Sequence, residues 1–129
     1  VFFGKGWISS GRITFSNYID IINSTKINLD ISNDARKPAE NQIKGRVAEI
    51  TMCGGFLLTG YHPELHEMFD IGKEIVCYTD RADMLKKIDY YLKHDDEREA
   101  IAEAGYKRAQ KDHTYVELFK RAFEMVGVS

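Results

Sequence analysis

Short apolar runs alternate in this chain with stretches whose apolar residues recur at helical spacing, and this alternation limits the possible folds. Four of the runs are predicted as buried strands: Val1–Phe3, Ile27–Ile31, Phe56–Thr59 and Ile75–Tyr78. Strands that alternate with helices form parallel sheets joined by right-handed crossovers. We therefore predict an α/β fold with a parallel four-stranded sheet flanked by helices, in a single domain of residues 1–129.

The helices between the strands are predicted from spacing and from their end signals. Apolar residues from Phe15 to Ile22 recur at three and four positions, which gives a helix of about ten residues. A second helix is predicted from Gln42 to Cys53, where two glycines end it. A short helical turn over Pro63–Phe69 precedes the fourth strand.

After the last strand the pattern is wholly helical. Asp80 is predicted to cap the first of these C-terminal helices, and Asp95 or Asp96 the second. Thr114 followed by Glu117 predicts a capping box that opens the last helix. The α/β domain therefore ends in helices.

Composition excludes several classes of partner. The net charge is −2 with no basic block, so the sequence gives no broad footprint for nucleic acid. The apolar runs are too short for a membrane span. The start lacks the pattern of a signal peptide. Cys53 and Cys77 lie in apolar surroundings and suggest a reducing compartment, so we expect a cytoplasmic protein.

Glu49 is the most informative side chain, because it lies among apolar residues of the second predicted helix. A carboxylate in such surroundings costs free energy unless a positive or hydrogen-bonding group meets it. One interpretation is an ion pair with Arg46 or Lys44. The other is a bound ligand.

Ligands of open parallel sheets bind outside the carboxyl ends of the strands. The richest loop there is Ser32–Gln42, where backbone amides could hold a diphosphate to which Lys44 and Arg46 would add charge. The alternative is a solvated loop followed by a structural glycine, Gly45, with Asp34 and Arg36 paired to each other.

The loop Gly4–Gly11 is a second candidate at that edge. Its glycines, among them Gly6, would let the backbone approach a flat ligand, and Trp7 could either stack on that ligand or cover the sheet edge. His62 and His66 have the spacing of two metal ligands on one helical turn, but no third ligand follows them, so we predict no metal site. No motif for nucleophilic catalysis is present in the sequence.

The stretch GRVAEITMCGG…KDHTY, residues 45–115, resembles the C-terminal part of bacterial group 1 glycosyltransferases, in the branch that includes CgeB-like spore-maturation proteins. The shared pieces, in order, are R-x-x-E, C-G-G, P-x-L-x-E-x-F, G-x-E-I-V and H-T-Y. With the upstream GRITFSNYIDIINSTKINLDIS, the resemblance spans nearly the whole chain.

The resemblance implies part of the C-terminal domain of a GT-B enzyme, with a Rossmann-like sheet that binds a nucleotide-sugar donor without a metal or other cofactor. In that family the second residue of an acidic pair hydrogen-bonds the ribose hydroxyls, and Glu49 occupies its position. The first position falls on Asn41, next to Gln42, so an amide stands where the family has a carboxylate. Glu40 is adjacent and could substitute if the loop is shifted by one residue.

The resemblance also implies that two central strands and an N-terminal acceptor-binding domain are missing from this chain. We therefore expect a domain fragment that is inactive in transfer by itself. The alternative is a non-catalytic interaction or structural module with the same fold. We further expect Val1–Phe3 to pair with Ile27–Ile31, with possible homodimer formation through a remaining sheet edge.

Overall fold

The computed structural model describes residues 13–31 and 43–128. Their helices and strands follow the predicted α/β order: α1 (Phe15–Ser24), β1 (Asn28–Asp30), α2 (Arg46–Met52), β2 (Leu57–Gly60), α3 (Leu65–Met68), β3 (Val76–Tyr78), α4 (Arg81–Lys93), α5 (Asp95–Asp112) and α6 (Tyr115–Met125).

The sheet has three strands within the described ranges, in the order β1-β2-β3, and both pairings are parallel. Leu29 lies opposite Leu58, and Thr59 lies opposite Cys77. The prediction of a parallel α/β sheet is confirmed for these strands. The fourth predicted strand, Val1–Phe3, and its ladder with the 27–31 strand lie outside the described residues.

Helices cover both faces of the sheet. Alternate residues of β2 and β3 point to opposite faces, so each strand contributes side chains to two apolar clusters. Leu57 and Cys77 join one apolar cluster, and Leu58 and Val76 join the other. The first cluster includes residues of α1, α2 and α5: Ile22, Val47, Ile50 and Ala109. The second includes residues of α4 and α5: Tyr91 and Ile101. These helices therefore hold the sheet in the middle of a three-layer fold.

Two glycines between α2 and β2 have different physical roles. The N–H groups of Gly54 and Gly55 bond to the carbonyls of Thr51 and Ile50, both at 3.0 Å, in the pattern of a Schellman helix end. Gly54 has φ +79°, which favours glycine. A Cβ at Gly55 would lie 2.5 Å from Cγ2 of Ile22. The turn therefore lets α1 pack directly against the backbone that enters β2.

Helix α5 makes a second close approach, at Gly105. A Cβ there would overlap the carbonyl oxygen of Glu74 and would lie 3.6 Å from the methyl group of Thr51. Gly105 itself is buried. This glycine therefore lets α5 cross both α2 and the segment that enters β3.

Two helix starts match the predicted capping residues. The side chain of Asp80 accepts from the N–H of Asp83 at 2.8 Å, and the hydroxyl of Thr114 accepts from the N–H of Glu117 at 3.3 Å. The reciprocal half of the capping box is not formed, because the Glu117 carboxylate instead accepts from Lys120 Nζ at 2.7 Å.

Two predicted helix starts are wrong. Neither Asp95 nor Asp96 caps α5, since His94 is the N-cap and Asp95 is already inside the first turn, where its carboxylate binds Lys26 and Arg98. Helix α2 begins at Arg46, later than the predicted Gln42, and the described residues before it are not helical. Gly45, at the N-cap, has low helix propensity and marks that start.

Candidate functional site

The ends of the three parallel strands lie at one edge of the sheet, which we call the carboxyl edge. Helices that connect parallel strands run in the opposite direction, so α2 and α4 begin at this edge, and α1, which leads into β1, begins there too. Ligands of such sheets bind outside this edge. We therefore expect a ligand site to be formed by the segments that follow β1, β2 and β3.

Glu49 lies on the first turn of α2, and its side chain is exposed. The hydroxyl of Tyr18, on α1, donates to its Oε2 across 3.4 Å. Within residues 13–31 and 43–128, no ion pair joins Glu49 to Arg46 or Lys44. The partner of the carboxylate in this part of the chain is thus a neutral hydroxyl, which differs from the ion-pair interpretation.

The electrostatics of this contact keep the tyrosine protonated. Burial raises the pKa of Tyr18, and the negative charge of Glu49 and the hydrogen bond to it raise that pKa further. Burial likewise raises the pKa of the Cys53 thiol, with a smaller contribution from the charge of Glu49. The Tyr18 hydroxyl is therefore a donor to Glu49 at neutral pH.

The other predicted residues that the structure describes adjoin Glu49 in sequence. Lys44, Gly45 and Arg46 are all exposed at the start of α2. The carbonyl of Gly45 accepts from the N–H of Glu49 at 3.0 Å, which closes the first helical turn. Asn41, Gln42, Gly6 and Trp7, together with Asp34, Arg36 and Glu40, lie outside the described residues.

A buried polar contact at the carboxyl edge was not predicted. The Thr59 hydroxyl donates to Oδ2 of Asp30 at 3.1 Å, and the Tyr78 hydroxyl donates to the Asp30 backbone carbonyl at 3.0 Å. Asp30 has no solvent exposure. A charged residue inside the apolar run INLDIS was the signal that could have indicated it. These bonds fix the end of β1 against β2 and β3.

The segment after β3 is held by its own hydrogen bonds. Lys87 Nζ donates to the carbonyl of Cys77 at 2.6 Å and to the Asp83 carboxylate at 2.9 Å, and that carboxylate also accepts from the N–H of Thr79. The hydrogen bond from Lys87 is the main cause that lowers the pKa of Asp83. These hydrogen bonds stabilise the turn between β3 and α4.

His62, His66 and His113 each bond to a different group. Nδ1 of His62 accepts from the N–H of Glu64, and Nε2 of His66 bonds to the Tyr61 hydroxyl, each at 3.3 Å. His113, at the end of α5, bonds through Nε2 to the carbonyl of Met68 at 2.8 Å. No group of three or more His, Cys, Asp or Glu residues in the described ranges could hold a metal ion.

A cavity of about 270 Å³ lies at the opposite edge of the sheet, between the ends of α1 and α2 and the start of α5. Arg98, which lines it, is buried. Its Nη1 donates to the carbonyl of Tyr91 at 2.6 Å and also binds Asp95. The guanidinium of Arg98 therefore joins α5 to the end of α4.

Comparison with known proteins gives one family. The model of the family described as glycosyl transferase-like matches residues 1–124. No match was found among curated proteins or among solved structures. The matched range includes Tyr18, Asp30 and Glu49. In the parts of the chain that the structure describes, no helix has the length and hydropathy needed to cross a membrane.

Proposed function

This chain belongs to the glycosyl transferase-like family, so its function is related to glycosyl transfer, and from that premise we propose that it binds the nucleotide-sugar donor as part of a GT-B C-terminal domain. The observation that supports this most is the exposed Glu49 carboxylate on the helix after β1, whose described partner is the Tyr18 hydroxyl. Its negative charge is thus available to a ligand at the carboxyl edge.

The ribose of the donor is the part that Glu49 would bind. A carboxylate has two oxygens and can accept from two neighbouring hydroxyl groups at once, as on the 2′ and 3′ carbons of ribose. Hydrogen bonds to an ionised acceptor are about twice as strong as those between neutral groups. The positive charges of Lys44 and Arg46, which are exposed a few residues away, would attract the negatively charged diphosphate.

The remaining predicted residues complete the proposal. Trp7 and the backbone at Gly6 would contact the flat base, and Gln42 would be part of the donor site. Asn41 would face the transferred sugar, because it occupies the first position of the acidic pair that group 1 glycosyltransferases use for the donor. An amide there hydrogen-bonds sugar hydroxyls but provides no negative charge to a sugar that becomes positive during transfer.

Titration with nucleoside diphosphates tests the proposal. Trp7 is the single tryptophan, so its fluorescence reports binding nearby, and calorimetry provides an independent readout. We expect saturable binding of at least one of UDP, GDP and ADP, and Glu49→Gln should weaken it about 10- to 100-fold, the range for a charge-assisted hydrogen bond. Absence of binding by all three would refute donor binding.

A matched control separates the role of Glu49 from a general loss of charge. Glu97 also accepts from a tyrosine hydroxyl, that of Tyr90, at 2.7 Å between α4 and α5. Glu97→Gln should leave nucleotide affinity unchanged. If both variants weaken binding equally, Glu49 has no specific role.

Asn41 favours a second function, a non-catalytic module that retains the fold. In that case the chain would keep the fold but would bind none of the nucleoside diphosphates, so the same titration separates the two functions. Saturable binding that Glu49→Gln weakens would exclude the second function.

A further inference from the structure

We propose that Tyr18 positions Glu49 and thereby sets how strongly the protein distinguishes ribose from a sugar without its hydroxyls. This inference rests on the function proposed above. The two residues are 31 positions apart and lie on different helices, α1 and α2. Their contact therefore depends on the tertiary fold. It places a hydrogen-bond donor of one helix next to the carboxylate of another.

Tyr18 is suited to this role because its ring is held by the core. The ring is half-buried and packs against the apolar cluster that contains Ile22, Val47 and Ile50. The tyrosine side chain has only two rotatable angles, so it presents its hydroxyl at small entropic cost. Glu49, in contrast, is exposed and has more rotamers to lose on binding.

The contact orients the carboxylate but does not saturate it. Oε2 faces Tyr18, and Oε1 lies on the side of Gly45, 3.6 Å from where a Cβ on that glycine would be. An ionised carboxylate has about four acceptor positions, of which Tyr18 uses one. The remaining positions are enough for two ribose hydroxyls.

The distance of 3.4 Å is longer than the usual 2.5–3.0 Å for bonds between oxygen atoms. Hydrogen bonds in functional sites are often long without ligand and shorten in the complex. We therefore expect the Tyr18–Glu49 bond to shorten when ribose binds. Tyr18 would then contribute to affinity only for ligands that engage Glu49.

The test uses UDP, GDP and ADP, each beside its 2′,3′-dideoxy form, and measures the ratio of the two dissociation constants. The natural sequence should bind the ribose form at least about 10-fold more tightly. Tyr18→Phe keeps the ring in the core and should lower this ratio about 2- to 10-fold, the lower part of the range for hydrogen bonds, because the 3.4 Å bond to the carboxylate is long. The affinity for the dideoxy form should not change, because that ligand does not engage Glu49.

Three further variants make the test specific. Glu49→Gln should make the dissociation constants of the two ligand forms equal. Adding Tyr18→Phe to Glu49→Gln should leave their ratio unchanged, since Tyr18 acts through Glu49. Glu49→Asp keeps the charge but withdraws it from Tyr18, so it should lower the ratio as Tyr18→Phe does. Tyr90→Phe removes the hydroxyl that bonds to Glu97 and should leave the ratio unchanged.

The outcomes separate the two proposals. If the natural sequence does not bind these nucleotides, or binds both forms equally, the ribose role of Glu49 is wrong. If it distinguishes the forms but Tyr18→Phe and Glu49→Asp leave the ratio intact, the role of Tyr18 is wrong and that of Glu49 stands. Equal weakening of both ligand forms in Tyr18→Phe would show a structural role and would also overturn the inference.

Discussion

The hydroxyl of Thr59 donates to the buried carboxylate of Asp30 across the first two strands, at 3.1 Å. Thr59→Val keeps the shape of the side chain but removes this donor from a group without solvent exposure. We expect a loss of about 1–3 kcal/mol in the free energy of unfolding, the cost of removing a hydrogen bond from a buried polar group. Urea denaturation measures it.

Thr51→Val is the control for that substitution. The Thr51 hydroxyl is also buried and donates to the carbonyl of Val47 at 2.8 Å, but that acceptor is a neutral carbonyl within α2. We expect a loss of about 1 kcal/mol or less. Equal losses in the two variants would show that the carboxylate gives Thr59 no special importance.

Gly105→Ala should destabilise the protein, although alanine is the better helix former. Propensity alone predicts a gain of about 1 kcal/mol in a helix interior. The new methyl group would overlap the carbonyl of Glu74, and such overpacking costs about 1–3 kcal/mol. A lower melting temperature is the expected result. An unchanged or higher one would mean that α5 does not cross the β3 segment this closely.

Thr114→Ala should weaken the start of α6 by about 1 kcal/mol, since it removes the side-chain acceptor for the N–H of Glu117. Amide hydrogen exchange at residues 115–118 measures this locally. Glu117→Ala is the control, because it removes the side chain that a full capping box would need, whereas the Glu117 carboxylate here pairs with Lys120. Its effect on the same amides should be much smaller, and an effect as large as that of Thr114→Ala would indicate that the full capping box forms.

Cys77 should make stability depend on pH in the alkaline range. Burial raises the pKa of its thiol from 9.0 to about 11, and the charge of Lys87 opposes that shift. Its contribution is complete below about pH 9 and is lost between pH 9 and 11, because the unfolded chain releases this proton first. The urea midpoint should therefore fall with pH in this window.

Comparison with Cys77→Ala isolates that contribution, since other groups also titrate there. The variant should lose less stability between pH 9 and 11 than the natural sequence does. Alkylation by iodoacetamide gives a second readout: the buried Cys77 thiol has a raised pKa, so its reaction at pH 8 should be slow until the protein unfolds. Parallel pH curves for the two proteins would contradict the buried-thiol assignment.

Local patterns in the sequence predicted the strands and helices well, because they report which side of an element is apolar. The run Phe56–Thr59 became β2 at Leu57–Gly60, and the spacing from Phe15 to Ile22 became α1. The exact ends of the helices depended on contacts with residues of other segments. Asp95 satisfied the local rule for a cap, but Lys26 and Arg98 bind its carboxylate inside the first turn.

The pairs that build the carboxyl edge could not be predicted in the same way. For Glu49 the sequence predicts either an ion pair with Lys44 or Arg46, its neighbours in the chain, or a bound ligand. The partner that the structure shows is Tyr18, on another helix. Periodicity identifies the buried face of each helix, but the rotation and height of α1 against α2 depend on packing of the whole core.

The turn between α2 and β2 has a consequence for which sequences this fold tolerates. Gly54 is restricted by its backbone angle, and asparagine also adopts that conformation at helix ends. Gly55 is restricted by the side chain of Ile22, so any Cβ is excluded there whatever its backbone preference. A folding selection on a library randomised at both codons should recover glycine and asparagine at position 54 but glycine alone at position 55.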